Sequence, residues 1–207
     1  MSAVSHARAV AITEASSPVG FATAARLAAG GHTVVMGSRR LQVCEEFAAR
    51  LRSGGADVFA AHLDLADPLS IDGFLESVEY VVGEVDALIS TVGVASKSWI
   101  GAQHLVTQLV TPMMDHGRGD VVLLGPELIG VPHAGADRML EAWISGLDAE
   151  FVGTGVRASI VRADGAVPPD DAGRLIAATI CAPDDMHLRL VDVIPSIPAA
   201  QRSTQAG

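Results

Sequence analysis

Seven short apolar runs recur along this chain, and a helix-length amphipathic segment separates each from the next. Strands are predicted over Arg8–Thr13, Thr33–Gly37, Asp57–Leu63, Ala87–Ser90, Asp120–Leu124, Val156–Val161 and Leu188–Val193. Helices are predicted over Val19–Ala29, Leu41–Ser53, Leu69–Tyr80, Ile100–His116, Asp137–Val152 and Asp170–Cys181. A helix returns the chain to the end of the sheet where it started, so successive strands run parallel and need cover on both faces. The expected fold is therefore α/β, one doubly wound parallel sheet of about seven strands with helices on both faces. Gly30-Gly31 and Gly54-Gly55 stop the first two helices. No linker, internal repeat or low-complexity run breaks the alternation. Residues 1–207 read as a single domain, with 199–207 a frayed polar tail.

Of the 207 residues, 49% are hydrophobic and 18% charged, enough apolar material for one continuous core. The formal charge of −10 opposes binding to nucleic acid or to an anionic membrane surface, since both are polyanions. No run approaches the roughly twenty apolar residues of a membrane span, and the first residues lack a signal-peptide pattern. A cytoplasmic location is the expectation. Cys44 and Cys181 have no metal-ligand spacing and read as small buried hydrophobes in helices; no metal is expected. Lys97 is the only lysine and Tyr80 the only tyrosine. Those two facts govern the chemistry.

The turn after the first strand reads Thr13-Glu14-Ala15-Ser16-Ser17-Pro18-Val19-Gly20. It resembles the TGxxxGxG turn of the short-chain dehydrogenase/reductase family, with Thr13, Ala15, Ser16, Ser17 and Gly20 in register. The resemblance spans essentially the whole chain and implies a Rossmann-like domain. Glycines in such a turn let the backbone approach a pyrophosphate lying on a helix N-terminus. Here two glycine positions are Glu14, which brings a carboxylate, and Pro18, which deletes a donor. Both changes weaken dinucleotide binding and leave the fold untouched. Other matches imply cofactor contacts at Thr13, Ser16 and Gly20, at Ser38 and Arg39 (with Arg40) for an adenosine 2′-phosphate, and at Asp64 and Leu65 for adenine. Gly93 is what remains of the family's Asn-Asn-Ala-Gly. The expected cofactor is none, or weakly bound NADP(H). Two solvated arginines opening a helix is the plainer reading of Arg39-Arg40.

The family's reaction needs a tyrosine with a lysine four residues on, helped by a serine and an asparagine. No Tyr-xxx-Lys exists in this chain. The resemblance places His133 at the tyrosine position, Asp137 at the lysine position, Pro126 or Glu127 at the serine, and Ser98 at the asparagine. His133 could act as acid or base near neutrality, oriented by Glu127 or Asp137; a loop histidine with no task is the competing reading. His62 and His104 read as structural. The segments after Gly93 and after Val161 are short for the family, which leaves the cleft poorly covered.

Three functions stand open. One is non-redox small-molecule chemistry in the former substrate cleft: cyclisation, isomerisation or dehydration. A second is a catalytically silent, ligand-binding or partner subunit. A third is a residual NADP(H)-dependent oxidoreductase using His133. The expected partners are a small-molecule ligand or substrate and a second subunit, as a homodimer or with another chain of the family. Leu105, Leu109, Met113, Trp143, Ile144 and Leu147 are expected to supply the apolar surface for that pairing.

Overall fold

A computed structural model of the chain describes residues 7–91, 96–125, 128, 136–163, 167–183 and 185–193, the side chains of residues 96, 136, 137 and 163 excepted. The elements alternate as β1 (Ala9–Ile12), α1 (Pro18–Ala29), β2 (Thr33–Ser38), α2 (Leu41–Ser53), β3 (Val58–His62), α3 (Pro68–Val82) and β4 (Ala87–Thr91). They continue as α4 (Ser96–Asp115), β5 (Gly119–Leu124), α5 (Ala136–Glu150), β6 (Val156–Ala163), α6 (Pro169–Ile180) and β7 (Leu190–Val193). The strands form one sheet in the order β3-β2-β1-β4-β5-β6-β7, every pairing parallel. The direction of winding reverses between β1 and β4, where Val10 pairs with Ala87 and Ile12 with Ile89. In such sheets the crevice at the carboxyl ends of the strands, at this reversal, is where ligands lie.

Continuous apolar runs make the central strands, because both faces of the sheet are covered. Successive residues of β4 divide accordingly. Leu88 joins Ala11, Val121 and Leu123 in a core roofed by Phe74 of α3, Leu105 of α4 and Ile144 of α5. Ile89 joins Ile12, Val34 and Val122 in a second core, under Leu27 of α1, Cys44 of α2 and Ile176 of α6. Removing a side chain such as Leu88, which is fully buried, costs about 2–5 kcal/mol.

Helix starts follow local chemistry. Ser17 caps α1 by accepting from the Gly20 amide, with Pro18 at the first helical position. Asp67 caps α3 by accepting from the Leu69 amide, again ahead of a proline. Helix α4 begins at Ser96, four residues before the predicted start, and its Gly101 explains the close seating of that end. A β-carbon there would lie 1.8 Å from the Leu65 carbonyl oxygen.

Two sequence expectations need correction. Leu105, Leu109, Met113, Ile144 and Leu147 are buried within this one chain and are core rather than a free pairing surface; only Trp143 of that set is partly exposed. Helical periodicity marks an apolar face without saying what covers it. Cys181 is exposed, because it is the residue that ends α6. Cys44 is buried as expected.

The amino ends of the strands are closed by charge. Asp120, at the start of β5, takes two bonds from Arg157 (2.8 and 3.1 Å) and pairs with Arg8 at 2.7 Å. Arg8 also donates to the carbonyls of Ile180 and Asp86, tying α6 and the β4 entrance to β1.

Candidate functional site

Four elements converge at the carboxyl end of β1: the β1–α1 turn, the end of β2, the start of α2 and the end of β4. Thr13 and Thr91 meet there. The Thr91 amide donates to Thr13 Oγ1 at 2.9 Å, and the two hydroxyls lie 3.2 Å apart. Both residues are buried, so this pair pins the tips of β1 and β4 together. Ser90, one residue earlier, is fully buried, and its hydroxyl has no hydrogen-bond partner among the described residues.

Beside this pair the candidate cofactor residues Ser16 and Ser38 bond to each other. Ser38 Oγ donates to Ser16 Oγ at 2.8 Å, and the Arg40 amide donates to Ser38 Oγ at 3.1 Å. Arg40 then folds over the turn: Nε donates to Ser16 Oγ at 3.0 Å and Nη2 to the Ser16 carbonyl at 2.8 Å. The Cys44 thiol lies against the same circuit. Burial pushes it up, outweighing the Ser38 hydrogen bond and the positive charge of Arg40, while Glu14 pushes the same way as burial. It stays a protonated, unreactive thiol. Ser16 and Ser38 are both buried, and the Ser38 proton is used within the protein, on Ser16.

The turn holds one residue in a conformation that glycine takes most easily. Glu14 sits at φ 47°, the left-handed region that favours glycine. The retained Gly20 is held by packing, since a β-carbon on it would lie 2.7 Å from the Ala15 carbonyl oxygen. Several of the backbone donors are spent. Ala15 N–H donates to the Gly37 carbonyl, Ser17 N–H to the Glu14 carbonyl, and Gly20 N–H to Ser17 Oγ, each at 3.0 Å. Pro18 has none to give. Among the described residues the Glu14, Ser16 and Val19 amides of this turn lack a partner. A dinucleotide pyrophosphate needs free amides, a backbone it can approach and no opposing charge. Amides remain at Glu14, Ser16 and Val19, but with the Glu14 carboxylate carried on the turn and no donor at Pro18 this turn does not fit it.

The remaining candidates spread outward. Arg39 is exposed at the rim with no partner among the described residues. Asp64 follows β3 half-buried; its carboxylate accepts from the Ala66 amide at 2.9 Å, and its own amide donates to Ser70 Oγ. Ser70 Oγ also bonds His62 Nδ1 at 3.0 Å, a surface arrangement. Leu65 is buried in the core, leaving its backbone, against Gly101, as what faces the α4 start. Ser98 stands half-buried in the first turn of α4, beside Trp99, whose ring meets Trp143 of α5 at 5.1 Å. Asp137 falls in the first turn of α5, with its side chain outside the described residues. Glu127, His133 and Gly93 lie outside them too, as does the 199–207 tail. Tyr80 is 92% exposed on α3, and Lys97 is exposed on α4. No cluster of potential metal ligands occurs among the described residues.

The structure therefore joins Thr13, Ser16, Gly20 and Ser38 in one corner and leaves Arg39, Asp64 and Ser98 apart. The partners that sequence reasoning missed are Thr91 and Cys44. Arg40 was visible in Ser38-Arg39-Arg40, but that signal points to a ligand rather than to Ser16.

Comparison with known proteins agrees with this architecture. The sequence model described as short chain dehydrogenase matches residues 8–127, more than half of the chain. An uncharacterized oxidoreductase from the mprA 5′ region of Streptomyces coelicolor is 28% identical over 180 residues, covering 75% of this chain and 71% of its own length. The glycine betaine reductase ATRR of Emericella nidulans is 26% identical over 175 residues, 73% of this chain but 14% of that protein. The chain spans about a third or less of the length of several curated relatives it matches. Among solved structures, a metagenomic short-chain oxidoreductase in complex with NADP superposes with a TM-score of 0.79 at 21% identity, over 95% of this chain and 100% of that one.

Proposed function

The chain belongs to the short-chain dehydrogenase family, and from that premise we propose that it uses the family's cleft for non-redox chemistry on a small molecule: cyclisation, isomerisation or dehydration. The observation that carries this reading is the placement of its only tyrosine and only lysine. Tyr80 points into solvent from α3, and Lys97 is exposed at the start of α4. Neither belongs to α5, the helix that would present the pair. Without a tyrosine acid and a lysine to lower its pKa, the family's proton delivery during hydride transfer has no agent. Non-redox reactions of the kind named need a positioned acid and base instead, and His133 with Glu127 or Asp137 supplies that combination. The substrate is a small molecule that itself carries the acidic C–H or leaving group.

The test is conversion without nucleotide. Purified protein is incubated with fractionated small-molecule extracts, and products are followed by mass spectrometry beside a His133→Ala variant. The expected product has the substrate's mass, or that mass less water, and its formation falls at least about a hundredfold in the variant. Conversion that appears only with added NADPH and shifts the mass by two hydrogens would favour the reductase reading, which the oxidoreductase relatives support.

A specific feature favours the silent-subunit reading as a second possibility. A groove of 530 Å³ runs between α4 and α5, bordered by Gln103, Thr107, Ala142, Trp143 and Gly146. The small residues Ala142 and Gly146 would admit a helix from another subunit. Sedimentation distinguishes the readings' common ground: a stable dimer that Gly146→Trp splits supports pairing here, and an unaffected monomer opposes it.

A further inference from the structure

We propose that the β1–α1 corner is closed to dinucleotides, and that Glu14 and Pro18 are the residues that close it. This goes beyond the non-redox reading, because a chain without the tyrosine–lysine pair could still bind NADP(H) and leave it unreacted.

Three independent observations meet here. Glu14 occupies a left-handed backbone conformation at φ 47° and is half-buried, so its carboxylate is carried by the turn itself. A side chain stands where the family's backbone lies bare to a ligand, and it is an anion opposing an anion. Next, the donor inventory of the turn is short. The amides of Ala15, Ser17 and Gly20 are bonded internally, Pro18 has none, and Ser17 itself caps the helix that would otherwise receive a phosphate. That leaves the Glu14, Ser16 and Val19 amides as donors, the first of them on the residue that carries the carboxylate. Last, the Ser16 and Ser38 hydroxyls are buried; Ser38 spends its proton on Ser16 Oγ, which also accepts from Arg40 Nε. Charge at the rim is not lacking, since Arg39 and Arg40 are both exposed. The closure is thus a property of the turn's geometry and of one carboxylate, not of the protein's net charge.

Each lost charge-assisted bond or opposed charge lowers affinity by about tenfold or more. Calorimetric titration with NADPH, against NADH, tests the proposal on the wild-type chain and on Glu14→Gln, Glu14→Gly and Glu14→Gly/Pro18→Gly, with thermal melting to verify folding. Wild type is expected to give no saturable heat below millimolar NADPH. Glu14→Gln removes the charge and keeps the turn, and is expected to gain about tenfold; the double variant is expected to gain about a hundredfold. Glu14→Gln leaves the backbone unchanged, so the test survives if the double variant fails to fold.

Micromolar binding by wild type would overturn the proposal. So would folded variants that bind no tighter than wild type. A wild type that binds NADPH but transfers no hydride removes this inference and leaves the non-redox reading standing.

Discussion

The two ends of the sheet handle buried polar groups in opposite ways. At the amino ends, Asp120 is almost fully buried and is held by two guanidiniums, Arg8 and Arg157, which also bind the carbonyls of Ile180, Asp86, Pro183 and Met186. At the carboxyl ends the buried groups are small hydroxyls, Thr13, Thr91, Ser16 and Ser38, bonded pairwise, with Ser90 unpartnered among the described residues. A full charge out of water must be matched by another, so the lower network is coupled and intolerant of loss. Hydroxyls can be replaced at modest cost. The end where ligands lie in such sheets is therefore the end whose residues can change while the fold persists.

Substitutions at the two ends sharpen that contrast. The largest effect is expected from Asp120→Ala, which takes the shared carboxylate from Arg8 and Arg157. A loss of about 3–5 kcal/mol in urea unfolding is expected, and a loss under 1 kcal/mol would erase the proposed asymmetry. At the upper end, Thr13→Val strands the buried Thr91 amide and is expected to cost about 1–3 kcal/mol. Ser90→Ala removes a hydroxyl with no partner among the described residues and is expected to be neutral or slightly stabilising, within about 0.5 kcal/mol. The smallest change belongs to the exposed Asp171–Arg174 pair of α6: Arg174→Ala is expected to stay within about 0.5 kcal/mol.

Acidification should act on the lower end first. His32 is buried, and its Nδ1 accepts from the Arg8 amide at 3.1 Å, which leaves the proton on Nε2, facing Cys181 Sγ at 3.4 Å. Burial pushes the imidazole below its ordinary value of 6.5, repulsion from Arg8 adds to this, and Asp86 opposes it. The unfolded chain then takes the proton first as pH falls. This contribution to stability is complete above pH 6.5 and is lost as pH drops through the lower folded value. Thermal midpoints measured between about pH 7 and about pH 5.5 should decline in wild type and flatten in His32→Asn, whose amide oxygen can replace Nδ1. Equal slopes in the two proteins would show that His32 does not set this dependence.

Much of the fold is legible in the sequence because its cause is periodic. Apolar runs such as Ala87–Ser90, each followed by an amphipathic helix, admit only a covered parallel sheet. The absence of a tyrosine–lysine pair is legible without any structure, since one Tyr80 and one Lys97 cannot make the motif. What periodicity conceals is which surface an apolar stripe meets. Leu105 and Ile144 look like a pairing face and are core, because α4 and α5 turn that face to their own sheet. The start of α4 was hidden because its first turn, around Ser98, lacks an apolar repeat, and contact with Leu65 sets the seating of that end. The bond from Arg40 to Ser16 crosses 24 residues of sequence, and no local rule predicts it. Glu14 was visible as a lost glycine; that the chain still adopts the glycine conformation there was not.

The most direct test of the central claim follows the hydride. The protein is incubated with NADPH carrying deuterium on the transferable C4 position and a panel of ketones and aldehydes, and products are examined by mass spectrometry. No deuterium above the protein-free blank is the predicted result, with or without His133. Deuterium in a product, formed in proportion to protein and abolished by His133→Ala, would show that hydride transfer persists without tyrosine and lysine, and would contradict the account.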